Sequence, residues 1–97
     1  MLDKLTKESF EPSKGSVFTV RLGDDAALPL ELTVVAGNGL KGAASREQFS
    51  LHFRGPVTPA LVQRTYRLEH PQFGALDIFL VPIRKDADGM IYEAVFT

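Results

Sequence analysis

A chain of 97 residues is long enough to bury one hydrophobic core and too short for two, so the sequence predicts a single domain over residues 1–97. Its 11 basic and 12 acidic side chains leave a net charge of −1, which supplies no field to attract phosphates and argues against nucleic-acid binding. The sequence has no cysteine, which excludes disulfides and thiolate chemistry.

Residues 1–15 are predicted to form an N-terminal helical segment. Thr6 is a suitable N-cap, Glu8 falls in the first turn, and Pro12 ends the helix soon afterwards. The apolar side chains of this segment are Leu2, Leu5 and Phe10. They predict that the segment lies as a cover across part of a sheet.

Residues 16–97 are predicted to form an antiparallel β domain, because apolar and polar side chains alternate along several short runs. A first strand near residues 16–22 and a second near residues 28–35 form a predicted hairpin. Their inward side chains are Phe18, Val20 and Leu22, then Leu28, Leu30, Leu32 and Val34. Residues 36–46, which are rich in glycine, are predicted to be a mobile loop.

Large apolar side chains at alternate positions mark the third and fourth strands. The predicted inward side chains are Phe49, Leu51 and Phe53, then Tyr66 and Leu68. Gly55-Pro56 ends the third strand, and Thr58–Leu61 is predicted to form a short turn of helix before the fourth.

The fifth strand, Leu76–Ile83, is apolar on both faces. Its first face carries Leu76, Ile78 and Leu80, and its second face carries Phe79, Val81 and Ile83. A strand with two apolar faces is normally covered on both. This pattern predicts that the N-terminal segment, another protein or both cover the second face.

The sixth strand pairs with the fifth through the turn Asp86-Ala-Asp-Gly89. Its predicted inward side chains are Tyr92, Ala94 and Phe96, and its outward ones are Ile91, Glu93 and Val95. Six strands with short connections predict a mainly all-β fold: a small antiparallel rolled sheet, barrel or sandwich with a short N-terminal helix.

Two glycine-containing stretches resemble ligand-binding motifs but lack essential parts of them. Gly37–Gly42 has the spacing G-x-G-x-x-G, yet too few residues follow it for a crossover helix, and Val62 stands where an acidic ribose ligand is needed. Asp86–Gly89 with Glu93 lacks the ligand number and spacing of a calcium loop. We therefore predict no cofactor, no cofactor-binding residues and no metal ligands.

The two histidines titrate near neutrality, and neither has the setting of a general base. His70 precedes Pro71 in an extended turn. Ser50 shares a strand face with His52, but neighbours at that spacing lie roughly 7 Å apart, beyond hydrogen-bond reach. We assign no catalytic residues and do not expect an enzyme.

Charged side chains on the outward faces of the strands have two interpretations. These side chains are Arg54, Arg67, Asp77 and Glu93. They could form a cross-strand ladder that supports register and solubility. Alternatively, the arginines could contribute to recognition, since arginine is enriched at interfaces.

Several stretches of the chain carry a resemblance to a known family. They are Phe49-Ser-Leu-His-Phe-Arg-Gly-Pro56, Gln63-Arg-Thr-Tyr-Arg-Leu-Glu-His70, Ile78-Phe-Leu-Val-Pro-Ile83 and Tyr92-Glu-Ala-Val-Phe96, together with Leu2-Asp-Lys-Leu-Thr6 and Phe10. In these stretches the chain resembles a family of small uncharacterised bacterial proteins associated with phage-tail-like and tail-collar proteins. The resemblance implies a bacterial accessory or structural protein and supplies no catalytic residues.

The sequence therefore favours a non-enzymatic β module that acts through protein–protein contacts, in a phage-tail-derived assembly or as a weak homo-oligomer. Its predicted interaction surface comprises Phe79, Val81, Ile83, Arg54 and Arg67. The alternative is a β-barrel that binds a small ligand in its interior or at residues 36–46. No apolar run is long enough for a signal peptide or a membrane span, so we expect a cytoplasmic protein without membrane or nucleic-acid partners.

Overall fold

A computed structural model of the chain describes residues 5–23, 26–42 and 46–97. One α-helix and one 3₁₀ turn precede six described strands. They are α1 (Lys7–Phe10), the 3₁₀ turn (Glu11–Ser13), β1 (Val17–Arg21), β2 (Ala27–Lys41), β3 (Glu47–Gly55), β4 (Arg64–His70), β5 (Gly74–Asp86) and β6 (Gly89–Phe96). The mainly all-β fold with a short N-terminal helix is confirmed.

The strands form one closed antiparallel sheet in the order β1-β2-β3-β6-β5-β4, in which β4 pairs back with β1. The closure is uneven. Each long strand pairs with different neighbours along its length. β2 pairs with β1 near its start and with β3 from Glu31 onward, and β5 pairs first with β4 and then with β6. The result is a closed sheet rather than a regular barrel, and closure protects most strand edges from unwanted pairing.

The interior is filled by the side chains that alternate toward it. The predicted inward residues of the first, third, fourth and sixth strands and of the first face of the fifth are buried, apart from half-buried Leu22. Phe18 meets Phe53 edge to face with ring centroids 5.4 Å apart, a favoured aromatic geometry. The Tyr92 hydroxyl accepts a hydrogen bond from the Leu61 amide at 2.8 Å, so this buried polar atom has a partner.

The N-terminal helix covers an end of the barrel. The Thr6 amide donates to Ser9 Oγ at 3.0 Å, which secures the first turn, and Phe10 is fully buried. The Phe10 ring stacks on Phe73 at 4.8 Å and lies 5.7 Å from the ring of Phe96. The N-terminal segment was one of two candidate covers for the second face of the fifth strand, but the described helix contacts β2 and β3. Leu2, one of the segment's three apolar residues, lies outside the described residues.

The second strand departs from its predicted pattern at a β-bulge. The register with β3 shifts between Leu32 and Val34, so Val35 packs against the core and Val34 is exposed. The prediction of Val34 as an inward residue is therefore wrong, because one extra residue exchanges the two faces.

The predicted mobile loop at residues 36–46 is also wrong over most of its length. The second strand continues to Lys41, and its partner β3 begins at Glu47. Residues 43–45 lie outside the described residues. Gly37 is held in the strand by pairing with Phe49 of β3, and the register is irregular between Gly37 and Lys41.

Two smaller expectations also need correction. Thr58–Leu61 is an irregular connection rather than a turn of helix. Ile91 faces outward by register but is only 3% exposed, and its cross-strand neighbours are Arg54 and Arg84. Arginine stems are long enough to cover an apolar neighbour while the charged groups stay in water.

Candidate functional site

An exposed apolar surface lies on the outside of β5 and β6. Val95 is 64% exposed and Phe79 is 50% exposed, while Val81, two residues beyond Phe79 on β5, is half-buried. We refer to Phe79, Val81 and Val95 as the outer apolar face. A cluster of large apolar side chains on the surface of a small protein is a feature that commonly marks an interaction site.

The outer apolar face borders a gap in the hydrogen-bonded sheet. Residues Gly74–Leu80 of β5 pair with β4, whereas the register between β5 and β6 runs only from Val81–Glu93 to Asp86–Gly89. Beyond Val81 and Glu93 a groove of about 310 Å³ is lined by residues of both strands. We call it the β5–β6 groove.

The β5–β6 groove has an apolar floor and mixed walls. Its floor consists of the buried side chains Ile78, Ala94 and Phe96. Its walls carry Phe79, Val95, Thr65, Asp77, Arg46 and Thr97. The Arg46 guanidinium lies 5.6 Å from the centre of the Phe96 ring, within the range of a cation–π contact.

Pairs of polar side chains lie on two sides of the outer apolar face. Arg67 Nε lies 3.3 Å from Asp77 Oδ1, with both side chains about 60% exposed, and His52 Nε2 lies 3.1 Å from Glu93 Oε2. An exposed pair of this kind contributes about 0–1 kcal/mol to stability. These pairs give the surface a polar rim around an apolar centre, which is the usual anatomy of an interface.

The five residues predicted from sequence as an interaction surface are only partly brought together. Phe79 and Val81 lie in the outer apolar face, and Arg67 is beside it on β4. Ile83 is 39% exposed but sits at the irregularity between Pro82 and Arg84. Arg54 lies on β3, with β6 between it and β5, and its Nη1 is 3.7 Å from Glu31 Oε1.

Val95 is the residue of this surface that the prediction omitted. It had been placed on the outward side of the sixth strand, but its position beside Phe79 was not recognised. The two residues are 16 positions apart in the chain, and only the pairing of β5 with β6 brings them to one groove. The signal available in the sequence was an outward valine on the strand that forms a hairpin with strand five.

A serine–histidine pair that was not predicted lies between the N-terminal segment and β4. Ser16 Oγ is 2.9 Å from His70 Nε2, and Ser16 Oγ also donates to the Ser13 carbonyl. His70 Nδ1 accepts the Gln72 amide at 3.1 Å, which places the proton of the neutral ring on Nε2. A protonated Nε2 donates to Ser16 and cannot act as its general base, so this pair fastens the segment to the sheet.

The environment of His70 makes stability depend on pH. Burial holds the pKa of His70 below the ordinary value of 6.5, so the folded state favours the neutral ring. As pH falls below 6.5, the unfolded chain binds the proton first, and the free energy of unfolding should decrease.

Urea titrations between pH 7.5 and pH 5.5 should show this loss of stability, and His70→Gln should show a much smaller pH dependence. Equal pH dependence in the wild type and His70→Gln would contradict this assignment.

The two stretches with motif-like spacing have structural roles. Asp86 Oδ1 accepts the amides of Asp88 and Gly89 at 2.9 and 3.1 Å, which closes the β5–β6 turn. Within Gly37–Gly42, the Gly39 amide donates to Glu47 at 2.7 Å. This bond, together with Lys7, holds the pKa of the Glu47 carboxyl below its usual value. Among the described residues, no three histidine or carboxylate side chains are grouped so as to hold a metal ion.

The closed sheet with an outer apolar face defines a small β protein with a surface groove. The chain belongs to the family described as "Domain of unknown function (DUF6916)", whose model matches residues 5–96. No curated protein and no solved structure matches the chain. The resemblance to an uncharacterised family is thus confirmed, while the match gives no support to a bacterial origin or a phage-tail association. None of the helices among the described residues is long and apolar enough to cross a membrane.

Proposed function

We propose that this protein is a non-enzymatic β module that binds another protein through its outer apolar face. The observation that carries the proposal is the exposure of Phe79 and Val95 beside a groove with an apolar floor. Aromatic side chains such as Phe79 contribute strongly to protein interfaces. Polar side-chain pairs border the outer apolar face on two sides, as at the rim of an interface. Burying these side chains would stabilise a complex by about 25 cal/mol for each Å² removed from water.

The alternative proposal, a barrel that holds a small ligand in its interior, has less support. Interior residues from every strand, including Phe18, Leu32, Phe53 and Leu80, are fully buried against one another. Binding sites for small molecules are usually preformed concave cavities with a few polar groups directed into them. The β5–β6 groove lies on the outside of the sheet between two strands, which suits a partner chain better than an enclosed ligand.

The other parts of the proposal depend on the sequence. We propose no enzymatic activity, because the hydrogen bonds of Ser16 and His70 oppose a nucleophile–base role. A place in a phage-tail-derived assembly is a proposal supported by the sequence resemblance alone. A bacterial origin is likewise a proposal supported by the resemblance alone. A cytoplasmic location without membrane partners is a proposal from the lack of a long apolar run, and the absence of nucleic-acid partners is a proposal from the net charge of −1.

Co-purification of the tagged protein from its native host, followed by mass spectrometry, tests the proposal. Val95→Asp places a charge at the centre of the outer apolar face and should remove enrichment of the partner. The matched control is Val17→Asp: Val17 is 51% exposed, also on the outside of a strand, but on β1. Thermal melts of both variants verify that they fold. Partner enrichment that is equal in Val95→Asp and wild type would exclude this face as the interface.

A further inference from the structure

We propose that the partner of the outer apolar face is an extended segment of another protein that adds as a β-strand along β5 in the β5–β6 groove. The inference rests on the proposed function and specifies how the partner binds. The segment carries aliphatic side chains at alternate positions, because strand addition places every second side chain on the same face.

The main chain of β5 provides the first argument. Residues 74–97 are all described, and within them β5 from Gly74 to Leu80 is paired only with β4. Among the described residues, the main-chain N–H and C=O groups of this stretch that point away from β4 have no strand partner, and they face the β5–β6 groove. An unpaired row of such groups is a template for another strand, and only a backbone can match its spacing.

The side chains around the gap suit an extended segment. An incoming strand would place one set of side chains over the floor at Ile78 and Phe96, and the other set beside Phe79 and Val95. Both sets of contacts are apolar, so alternate aliphatic residues are accommodated on either side. Main-chain hydrogen bonds supply affinity in this mode, and the side-chain contacts select the sequence.

The size of the surface argues against a second copy of the chain as the occupant. A stable dimer buries roughly 800 Å² on each partner. The outer apolar face consists of three side chains, one of them half-buried, and by itself supplies only part of such an area. The area of this face is small for a rigid interface between two copies. It is sufficient for a single bound strand, because main-chain hydrogen bonds also contribute to its affinity.

A second stretch of unpaired edge among the described residues, in the distal part of β2, is irregular. There the Gly39 amide donates to Glu47 and the Leu40 amide donates to Asn38 at 2.9 Å. Gly39 also has a φ of +78°, which interrupts the extended conformation. Irregularities of this kind disfavour strand addition at this stretch, whereas the Gly74–Leu80 part of β5 keeps a regular register with β4.

Amide hydrogen exchange of the full chain, measured by NMR, tests the inference. The probe is the capped peptide Glu-Val-Thr-Val-Thr-Val-Glu at millimolar concentration, and the control is the same peptide with N-methylated core amides. We expect alternate amides within Gly74–Leu80 to exchange rapidly in the free protein and to slow by about tenfold or more with the probe. The N-methylated peptide should give no protection, and Val95→Asp should reduce the effect of the probe while Val17→Asp should not.

Protection that is absent with the probe, or equal with both peptides, would overturn strand addition. Concentration-dependent dimerisation of the protein alone, with protection of the same amides, would also overturn it, because the occupant would then be a second copy. If Val95→Asp removes the native partner while the probe leaves β5 unprotected, the proposed function stands and strand addition is wrong. If the native partner is retained by Val95→Asp, the proposed function itself fails.

Discussion

Replacing Phe53 with alanine is expected to lower the free energy of unfolding by about 3–5 kcal/mol. Phe53 is fully buried at the centre of the closed sheet, where its ring meets Phe18 and lies opposite Tyr92 across β3 and β6. Truncation removes the transfer free energy of the ring and leaves a cavity that neighbours on fixed strands cannot fill. The loss is a large part of the roughly 5–15 kcal/mol that stabilises a protein domain.

Urea titration of Phe53→Ala and Phe79→Ala compares the loss of unfolding free energy at a buried and at a half-exposed phenylalanine. The second variant has the same chemistry at a side chain that is half exposed, and its cost should be about 1 kcal/mol or less. Phe53→Ala losses below about 1 kcal/mol, or equal losses in the two variants, would show that the inward and outward faces have been exchanged.

Replacing Phe10 with alanine should have an effect of similar size, about 3–5 kcal/mol. Phe10 is the anchor of the N-terminal helix, fully buried and in ring contact with Phe49, Phe73 and Phe96. Its removal opens one end of the barrel and exposes these rings. We therefore expect a lower melting temperature together with increased binding of an apolar dye.

The matched control for this prediction is Glu8→Ala on the exposed side of the same helix, which should change stability by about 0.5 kcal/mol or less. Phe10→Ala should leave binding at the outer apolar face intact, because the helix lies at the end of the barrel. If Phe10→Ala melted like the wild type, the helix would not be docked as described.

Alternation of side chains was sufficient to predict most of the core. Phe49, Leu51 and Phe53 follow a strict period of two, and the register with β6 keeps that period from one end of β3 to the other. The same reasoning failed at Val34, because the bulge in β2 depends on pairing with β3 and leaves no local sign in the sequence. The glycines at positions 37 and 39 predicted a loop. Whether such a stretch forms a strand depends more on its neighbouring strands than on the intrinsic β propensity of its residues.

The candidate site could be predicted only in part, because the groove and the position of Val95 beside it depend on how the strands pair. An apolar second face on strand five was visible in Phe79, Val81 and Ile83. The groove arises because β5 changes partner at Val81, and Val95 joins the site through that change. The Ser16–His70 contact spans 54 residues and depends on closure of the sheet between β1 and β4, which no local pattern indicates.

Site-specific photo-crosslinking in the native host tests the interaction claim most directly. A benzophenone amino acid placed at position 79 keeps an aromatic ring at the outer apolar face, and the same amino acid at position 17 is the control on β1, which β4 separates from β5. We predict a discrete crosslinked product from position 79 that is absent from position 17 and disappears with Val95→Asp. Equal products from both positions, or a product from position 17 alone, would contradict an interface at the outer apolar face.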